Sequence, residues 1–534
     1  MAAAYLDAAE AAHKDYLNEP IKRSTMRATF VFVVALIFYF SANFNVSAES
    51  SSQSRITPAP NIVYILADDF GYGDLHTMNP LRGKIPTPHL DKLANQGMRF
   101  TDAHSGSAVC TPTRYGLLTG RYAWRTHLQR GVLDGTDDPP LIASRRLTVA
   151  SFLKQQGYAT AAIGKWHLGF DSERPPVTQV TAESIGKKAN PGKTGEAGLP
   201  VGSKIIEGPI TRGFELFWGC SNARTMSGLI ENDKVTERME PINMLPRLGR
   251  RAVAYIEEKT FDAKAGKPFF LYLPLTSPHT PILPTPEWKG KSGLGDYGDF
   301  VMQTDAVVGD VLAAIDRAGI ANNTLVIFTA DNGCSPAAKT EELEQRGHFA
   351  SAQFRGYKAD IWEGGHRVPF LVRWPGKIKA GSQSDQIICH VDFMATCAEI
   401  LGVKLPETAA EDSVSILPTL LGLDNTSHRE AVVHHSIDGK FAIRQGKWKL
   451  EFCSGSGGWG KPKDPEASQQ GLPDVQLYDL STDFAESKNV QAENPEVVSR
   501  LTWLLEQYVA NGRSTPGMKL ANDVPVSFER AIKK

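Results

Sequence analysis

The sequence predicts an α/β fold in which helices cover both faces of a mostly parallel sheet, followed by a smaller C-terminal α+β domain with an antiparallel sheet. Several short segments are apolar throughout, as expected of strands buried on both faces. These segments alternate with helical patterns, which is typical of a parallel sheet between two helical layers. From about residue 428 the pattern changes to alternating, hairpin-like segments.

The composition is that of a globular protein. The chain has 534 residues, which is enough for two domains, with 41% hydrophobic and 22% charged residues. Its formal net charge of −1 does not indicate a nucleic-acid partner, so any attraction for an anion must be local. The six cysteines are few for this length, and their spacing suggests neither a zinc cluster nor a dense disulfide framework.

Residues 1–48 are predicted to be a leader containing a secretory signal. A basic segment at 22–27 precedes the apolar run Phe30–Phe40, and Val46–Ala48 has the small residues of a signal-peptidase site. The apolar run is short for a transmembrane helix, so a cleaved signal is favoured over an anchor. We therefore expect cleavage after Ala48, a secreted or periplasmic protein, and no stable membrane span afterwards.

Residues 49–60 read as a linker, and the large domain is predicted to span 61–427. Its predicted strands are apolar runs that end in polar residues, at 61–67, 158–163, 269–275, 324–330 and 368–374. Its predicted helices have amphipathic periodicity, at 89–100, 147–157, 300–318 and 391–401. Between them, 171–213 is rich in Gly, Pro, Lys and Ser and is predicted to be a surface insertion beside the site.

The C-terminal domain is predicted to span 428–534. Residues 441–450 alternate and turn like a hairpin, 475–480 adds a short strand, and 497–509 closes the chain as a helix.

One segment of the large domain places a cysteine at a helix start. Pro112 suits the first turn of a helix, so Cys110 should lie at or near its N-terminus, where free N–H groups and the helix dipole favour an anion. Arg114 follows one turn later on the same face and can reach back towards Cys110. The alternative is a buried structural thiol beside a surface arginine.

Two predicted strands end in oxygen donors. Asp68 and Asp69 follow the first strand, and Asp331 and Asn332 follow the strand at 324–330. Because parallel strands bring their carboxyl ends to one edge, the four side chains should meet there. Oxygen ligands suit a hard cation such as calcium or magnesium. The alternative is that these residues cap helices or face solvent.

Four further side chains could bring positive charge and acid–base chemistry to this edge. Lys165 and His167 follow a predicted strand at a spacing that puts both on one face, and His279 lies in a proline-bounded turn. Lys358 precedes a glycine-rich loop. Singly, each has an ordinary structural or surface explanation. With a metal and a nucleophile at a helix start, they indicate a site for an oxyanion ester.

Seven short motifs occur in order along the large domain. They are Ala67–Asp74, the C-x-P-x-R sequence Cys110–Arg114, Leu117–Arg121, Gly164–Gly169, Pro278–Pro281, Ala330–Gly333 and Glu363–Pro369. On these motifs the sequence resembles the type I, formylglycine-dependent sulfatases of the alkaline phosphatase superfamily, in particular the arylsulfatase A and N-acetylgalactosamine-6-sulfatase group. The resemblance runs from about Asn61 to the C-terminal helix, and it implies an alkaline phosphatase-like fold and a sulfuric ester hydrolase.

The resemblance implies a modified residue and one metal ion. Cys110 would be oxidised to formylglycine by a maturation enzyme that reads C-x-P-x-R, in which Thr113 stands where Ser is frequent. One calcium ion would be held by the side chains of Asp68, Asp69, Cys110, Asp331 and Asn332.

The resemblance also implies a role for each remaining side chain. A hydroxyl of the hydrated aldehyde, activated by the metal and by Asp331, would attack sulfur and displace the alcohol. His279 and Lys358 would bind the sulfate and help to protonate the leaving oxygen, and Lys165 would neutralise sulfate charge. Arg114 would hold the diol. His167 would then take the proton of the second hydroxyl, which expels sulfate and regenerates the aldehyde.

The expected substrate is a sulfated saccharide or an aryl sulfate. Asn222 and Arg224 could touch a sugar, and 6-O-sulfated galactose or N-acetylgalactosamine would fit the resemblance. One alternative is a phosphatase or phosphonate hydrolase of the same superfamily, but its two-zinc members carry additional histidine and aspartate ligands and a Ser or Thr nucleophile. Another alternative is a non-catalytic carbohydrate-binding protein, against which the full catalytic-type set argues.

Overall fold

The structure is a computed structural model, and it describes residues 56–133, 138–175, 198–423 and 429–528. The predicted leader, its cleavage site, residues 49–55 of the linker and residues 176–197 of the predicted insertion lie outside the described residues. Among the helices of the described residues, none is both long and apolar enough to cross a membrane.

Strands and helices alternate through most of residues 61–420, as the sequence predicts. The strands are β1 Asn61–Asp68, β2 Met98–Phe100, β3 Ala103–His104, β4 Ala159–Lys165, β5 Asp171–Glu173, β6 Lys204–Glu207, β7 Leu216–Cys220, β8 Gly228–Glu231, β9 Lys234–Arg238, β10 Phe269–Pro278, β11 Thr324–Ala330, β12 Phe370–Arg373, β13 Ser382–Ser384, β14 Ile388–Cys389, β15 Val432–His435, β16 Phe441–Gln445, β17 Trp448–Glu451 and β18 Gln476–Asp479. The α-helices are α1 Pro88–Gln96, α2 Cys110–Thr119, α3 Val149–Gln155, α4 Met244–Lys264, α5 Gly295–Arg317, α6 Thr340–Gln345, α7 Glu363–His366, α8 Phe393–Ile400, α9 Leu417–Leu420, α10 Asp464–Gln469 and α11 Pro495–Asn511.

Within the described part of the chain, twelve strands form one large sheet. Their order is β13-β2-β12-β11-β1-β10-β4-β7-β8-β9-β6-β5. The central run from β11 to β7 is parallel, whereas β12 and the strands from β8 to β5 pair antiparallel with their neighbours. The predicted fold class is confirmed, and the sheet is mixed because antiparallel strands extend the parallel centre on both sides.

Strand β1 lies near the middle of this sheet, and all of its residues are buried. Ile62, Tyr64 and Leu66 pack on one side with side chains of α2, α3 and α8. Val63 and Ile65 pack on the other side with side chains of α1, α4 and α5. Successive strand residues point to opposite faces, so one uninterrupted apolar segment serves two hydrophobic cores.

Several elements differ from the sequence prediction. Strands β5 to β9 were not predicted, and β5 and β6 lie at one edge of the large sheet, within the segment 171–213 that was predicted to be a surface insertion. The helix predicted at 89–100 ends at Gln96, and Met98–Phe100 forms β2. At Gly97, where the chain changes direction, a Cβ would lie 2.0 Å from the carbonyl oxygen of Val372, so only glycine fits there. Helix α4 was not predicted, because its apolar residues are interrupted by many charged ones.

The C-terminal region contains the predicted antiparallel sheet, with the order β15-β16-β17-β18. The predicted hairpin is formed by β16 and β17, and α11 packs on this sheet through Leu501 and Leu505. The sheet is tied to the start of α2, since the N–H of Ala108 donates to the carbonyl oxygen of His435 (3.0 Å).

The parallel centre of the large sheet sets the position of the polar residues. Strands β1, β4, β10 and β11 run in one direction, so their carboxyl ends lie at one edge. Asp68, Lys165 and Pro278 are the last residues of β1, β4 and β10, and Asp331 directly follows β11. The strand order therefore gathers the side chains that the sequence singled out.

Candidate active site

Helix α2 begins at Cys110, as the sequence predicts. Val109 before it is extended, and no side chain in the described part of the chain caps the first turn, so the N–H groups of that turn are left for other acceptors. The Cys110 side chain is buried, with its Sγ 3.5 Å from Asp68 Oδ1 and 3.5 Å from Lys358 Nζ. Burial, followed by the charge of Asp331, raises the pKa of the Cys110 thiol, so the group is a neutral thiol at pH 7.

Asp68 and Asp69 each face a lysine. Lys165 Nζ lies 2.7 Å from Asp68 Oδ2, and Lys358 Nζ lies 2.6 Å from Asp69 Oδ1. Burial alone would raise the pKa of both carboxyl groups, but the positive charges around them prevail. Lys165 contributes most to lowering the pKa of Asp68 to about 2, and Lys358 contributes most to lowering that of Asp69. Both carboxylates are therefore ionised although they are buried.

Arg114 contacts Asp331 rather than turning back to Cys110. Its Nε and Nη2 donate to Asp331 Oδ2 at 3.0 and 2.7 Å, and Nη1 donates to the carbonyl oxygen of Lys165 at 3.1 Å. Asp331 Oδ1 accepts the backbone N–H of Asp69 at 3.2 Å. Arg114 thus links α2 to the carboxyl ends of β11 and β4, and these contacts hold the start of α2, with Cys110, in position relative to the large sheet.

Two oxygen atoms of the predicted metal group have no hydrogen-bond donor among the described residues. They are Asp69 Oδ2 and Asn332 Oδ1, and both are buried. Asn332 is oriented through Nδ2, which donates to Asp69 Oδ1 at 2.8 Å. Ligand atoms of Asp68, Asp69, Cys110 and His279 also lie within 4.8 Å of one another. Unpaired buried oxygens are costly, so this arrangement suits a cation.

The two histidines of the site are each oriented by a backbone carbonyl. His167 Nε2 donates to the carbonyl oxygen of Leu133 at 2.6 Å, and His167 Nδ1 has no partner among the described residues. His279 Nδ1 donates to the carbonyl oxygen of Thr280, which leaves Nε2 3.7 Å from Asp69 Oδ2. Burial lowers the pKa of His279 and lowers that of His167 well below its usual value. Both rings are therefore neutral at pH 7.

A cavity of about 210 Å³ opens beside Cys110. Its lining includes the predicted side chains of Cys110, Lys165, His167, Asn222, Arg224, His279 and Lys358. Asn222 is buried and accepts the backbone N–H of Arg224 at 2.8 Å, whereas Arg224 is exposed. A larger cavity of about 740 Å³, between α4 and α5, contains none of the predicted site residues.

Trp459 lines the same cavity and was not predicted. Its side chain is 41% exposed, and it belongs to a Gly- and Ser-rich loop that follows β17. Asp360 Oδ1 holds this loop by accepting the N–H groups of Trp459 and Gly460 at 3.0 and 2.7 Å. The sequence shows a single tryptophan in a glycine-rich segment, which could have indicated a binding loop. The neighbouring residues did not indicate that this loop would lie beside Cys110.

The chain matches known sulfatases over most of its length. Residues 60–403 match the family model described as Sulfatase, and residues 357–458 match the one described as N-sulphoglucosamine sulphohydrolase, C-terminal. N-acetylgalactosamine-6-O-sulfatase of Bacteroides thetaiotaomicron is 36% identical over 485 residues, which cover 84% of this chain and 92% of that protein. Arylsulfatase A of Homo sapiens is 34% identical over 466 residues, which cover 83% and 87%.

A solved structure supports the same relationship. It comes from work on the metabolism of multiple glycosaminoglycans by Bacteroides thetaiotaomicron and superposes with a TM-score of 0.71 at 31% identity. The alignment covers 84% of this chain and 99% of that one.

Replacing Arg114 by Lys should destabilise the fold, because lysine cannot make both the contacts to Asp331 and the contact to the Lys165 carbonyl. The expected loss is about 1.5–3 kcal/mol in the free energy of unfolding, measured by urea denaturation. Arg251→Lys is the control, since Arg251 pairs with the exposed Glu258 (3.2 Å) and should change stability by less than ~0.5 kcal/mol. Equal stability of the two variants would contradict the anchoring role of Arg114.

Proposed function

This chain belongs to the sulfatase family and is a sulfuric ester hydrolase, and we propose that it releases sulfate from a sulfated carbohydrate in the cavity beside Cys110. The observation that carries this proposal is the position of Cys110, which begins a helix in a cavity also lined by Lys165 and Lys358. Buried ammonium groups and free helix N–H groups together favour an anion such as a sulfate ester.

We propose that Cys110 is the precursor of the nucleophile. A maturation enzyme that reads C-x-P-x-R would oxidise the thiol carbon to the aldehyde of formylglycine, supplying the oxidant and removing the sulfur. The hydrated aldehyde supplies the hydroxyl that attacks the ester. The raised pKa of the thiol supports this proposal, because an unmodified Cys110 would carry almost no thiolate at neutral pH.

One calcium ion is proposed at the oxygen donors of Asp68, Asp69, Asp331 and Asn332, with the modified Cys110 as a further ligand. Its support is the pair of buried oxygens, Asp69 Oδ2 and Asn332 Oδ1, that lack donors among the described residues. The donors are hard oxygens, which calcium prefers and zinc does not. When bound, the ion would lower the charge on the reacting oxygens.

The remaining side chains have proton and charge states that suit a sulfate ester. Asp69 raises the pKa of Lys358 although burial opposes this, so Lys358 remains protonated and can donate to the leaving oxygen. His279 would share this role only as the imidazolium, because the one proton of the neutral ring is on Nδ1, which donates to the Thr280 carbonyl. Lys165 brings a second positive charge to the sulfate.

His167 suits the role of proton acceptor. Because its Nε2 proton is held by the Leu133 carbonyl, the lone pair on Nδ1 is directed away from that bond. A neutral, buried imidazole with one free nitrogen can take the proton of the second hydroxyl. Arg114 would act by holding the modified residue in place, through its contacts to Asp331 and the Lys165 carbonyl.

A carbohydrate is proposed as the natural substrate, with 6-O-sulfated galactose or N-acetylgalactosamine as the preferred class. The similarity to an N-acetylgalactosamine-6-O-sulfatase supports this choice. Trp459 supports it too, because a half-exposed indole at the cavity offers a flat apolar face to a sugar ring. Asn222 and Arg224 would add polar contacts. Export through the signal at 1–48, with cleavage after Ala48, would bring the enzyme to extracellular or periplasmic substrates.

The experiment that tests the function is sulfate release by protein coexpressed with a maturation enzyme. Release is expected from sulfated galactosaminides and from aryl sulfates. A preference for phosphate monoesters would favour a phosphatase or phosphonate hydrolase of the superfamily. If the aldehyde is present and no sulfate is released, the proposed hydrolase activity is refuted and a carbohydrate-binding function is favoured.

Replacing Cys110 by Ala should abolish sulfate release, and mass spectrometry of the tryptic peptide 100–114 should detect the aldehyde in the active wild-type protein. Cys397→Ala is the matched control, because Cys397 is equally buried but packs within α8. It should keep wild-type activity. An unmodified thiol in fully active protein would refute the proposed nucleophile.

Replacing Asn332 by Ala should raise the calcium concentration needed for half-maximal activity by about tenfold or more, because a ligand oxygen is lost. Activity is measured against free calcium after treatment with a chelator. Asn323→Ala is the control. Asn323 directly precedes the first residue of β11, at the end of the strand away from Asn332, and it donates to the Ala59 carbonyl (3.1 Å). An N332A protein with unchanged calcium dependence would count against this ligand.

Replacing Trp459 by Ala should raise KM for a sulfated galactosaminide by about tenfold while kcat stays near wild type, because a stacking face worth about 1.4 kcal/mol is lost. KM for a small aryl sulfate should change much less, and Trp459→Phe should restore most of the saccharide affinity. Trp503→Ala is the control, since Trp503 is 58% exposed on α11. An equal change in KM for both substrates would contradict a sugar-binding role.

A further inference from the structure

A second group of potential metal ligands lies outside the candidate active site. His104, His366 and His434 are fully buried, on β3, α7 and β15 respectively. Ligand nitrogens of the three rings lie within 4.8 Å of one another. The ring centroids of His104 and His366 are 5.2 Å apart, and His434 stacks on His366 with centroids 3.8 Å apart.

The hydrogen bonds of these rings determine which nitrogen carries the proton. His104 Nε2 lies 2.6 Å from Asp102 Oδ1, and this carboxylate also accepts from Arg367 and Arg444. Arg444 Nη1 also lies 3.2 Å from His104 Nε2, but Asp102 accepts from both arginines, so the shorter contact to this carboxylate assigns the Nε2 proton to His104.

In the other two rings, too, one nitrogen donates to an oxygen that can only accept, here a backbone carbonyl. His366 Nε2 lies 3.0 Å from the carbonyl oxygen of Ile361, and His434 Nδ1 lies 3.0 Å from that of Ser105. Carbonyl oxygens only accept, so both nitrogens carry their proton. Each of the three rings therefore has one nitrogen that donates to oxygen and one that carries a lone pair.

The three remaining lone pairs have no proton donor among the described residues. His104 Nδ1 and His366 Nδ1 face each other at 3.1 Å, and His434 Nε2 has no partner. Two lone pairs at this distance repel unless a cation lies between them. Neutral imidazole is the form in which histidine binds a metal ion.

We propose that His104 Nδ1, His366 Nδ1 and His434 Nε2 bind one transition-metal ion, with zinc as the expected occupant. Imidazole nitrogen is a preferred ligand of zinc, and ligands ~2.0–2.1 Å from a tetrahedral zinc lie about 3.3 Å apart, close to the spacing of the first two nitrogens. The donation of each second ring nitrogen to an oxygen is the usual support of a metal-bound histidine. The rings of His366 and His434 are stacked nearly parallel, and two stacked rings cannot both direct an in-plane lone pair at one ion, so binding requires His434 to tilt out of this stack.

This ion would have a structural role. His104 and His366 belong to the large domain and His434 to the C-terminal sheet, and the next residue, His435, accepts the N–H of Ala108 two residues before Cys110. One ion on three segments would therefore hold the C-terminal sheet against the segment that leads into α2. Because the ligands are buried, the ion is incorporated as the chain folds.

The test is the metal content of the intact protein after expression in defined medium with zinc, followed by dialysis against a chelator. About one zinc per chain is expected, and expression with cobalt instead should give the visible absorption bands of cobalt bound to nitrogen. His434→Gln should lose the ion and lower Tm. His435→Gln, which alters the neighbouring buried histidine, and Asp69→Asn, which alters the proposed calcium site, should keep it.

Wild-type protein that folds with neither zinc nor cobalt would overturn the proposal, and this result does not depend on any variant folding. Loss of the ion in Asp69→Asn with retention in His434→Gln would also overturn it, because the metal would then belong to the candidate active site. If His434→Gln does not fold, His366→Phe, which keeps a flat ring in the stack, should fold without the ion.

Discussion

The pairing of buried charges at the carboxyl edge of the parallel strands is the interaction on which the site depends. Asp68 pairs with Lys165, Asp69 with Lys358, and Asp331 with Arg114, and all six side chains are almost fully removed from solvent. Unpaired charges would be very costly in such surroundings, so strands β1, β4 and β11 and helix α2 are held in one arrangement. An added sulfate ester would leave excess negative charge, which supports a bound cation.

The same burial accounts for the chemistry assigned to Cys110. A thiolate nucleophile needs a lowered pKa, whereas burial raises the pKa of the Cys110 thiol, which contacts Asp68 and Lys358. The site as built does not activate sulfur. An aldehyde at the same position needs no ionisation to become hydrated, so the charged network can serve the ester and the metal. The raised pKa of the thiol supports the proposal that Cys110 is modified before it takes part in the reaction.

Much of the fold and part of the site could be predicted from local patterns. Strand β11 begins and ends at the predicted residues, because its apolar run is bounded by turn-forming residues on both sides. The start of α2 was predicted from Pro112, which favours the first turn of a helix. Partners distant in sequence could not be predicted. Arg114 turns to Asp331, 217 residues away, and Asp360 holds Trp459, 99 residues away. The histidine group likewise joins three segments that are far apart in the chain.

The C-terminal region contributes Ile437 and Trp459 to the lining of the cavity beside Cys110. The Ala359 N–H donates to the carbonyl oxygen of Ala108 at 2.8 Å, and the Ile437 N–H donates to that of Ala359 at 3.1 Å, so one backbone path runs from the Cys110 segment through the Lys358 segment into this region. Gly458 continues the path, because any Cβ there would lie 2.3 Å from the Ala359 carbonyl oxygen. The loop that carries Trp459 is thus positioned by residues adjacent to the proposed reacting groups. Those groups lie at strand ends of the large sheet and at the start of α2, whereas Ile437 and Trp459 bring the C-terminal region into the wall of the same cavity.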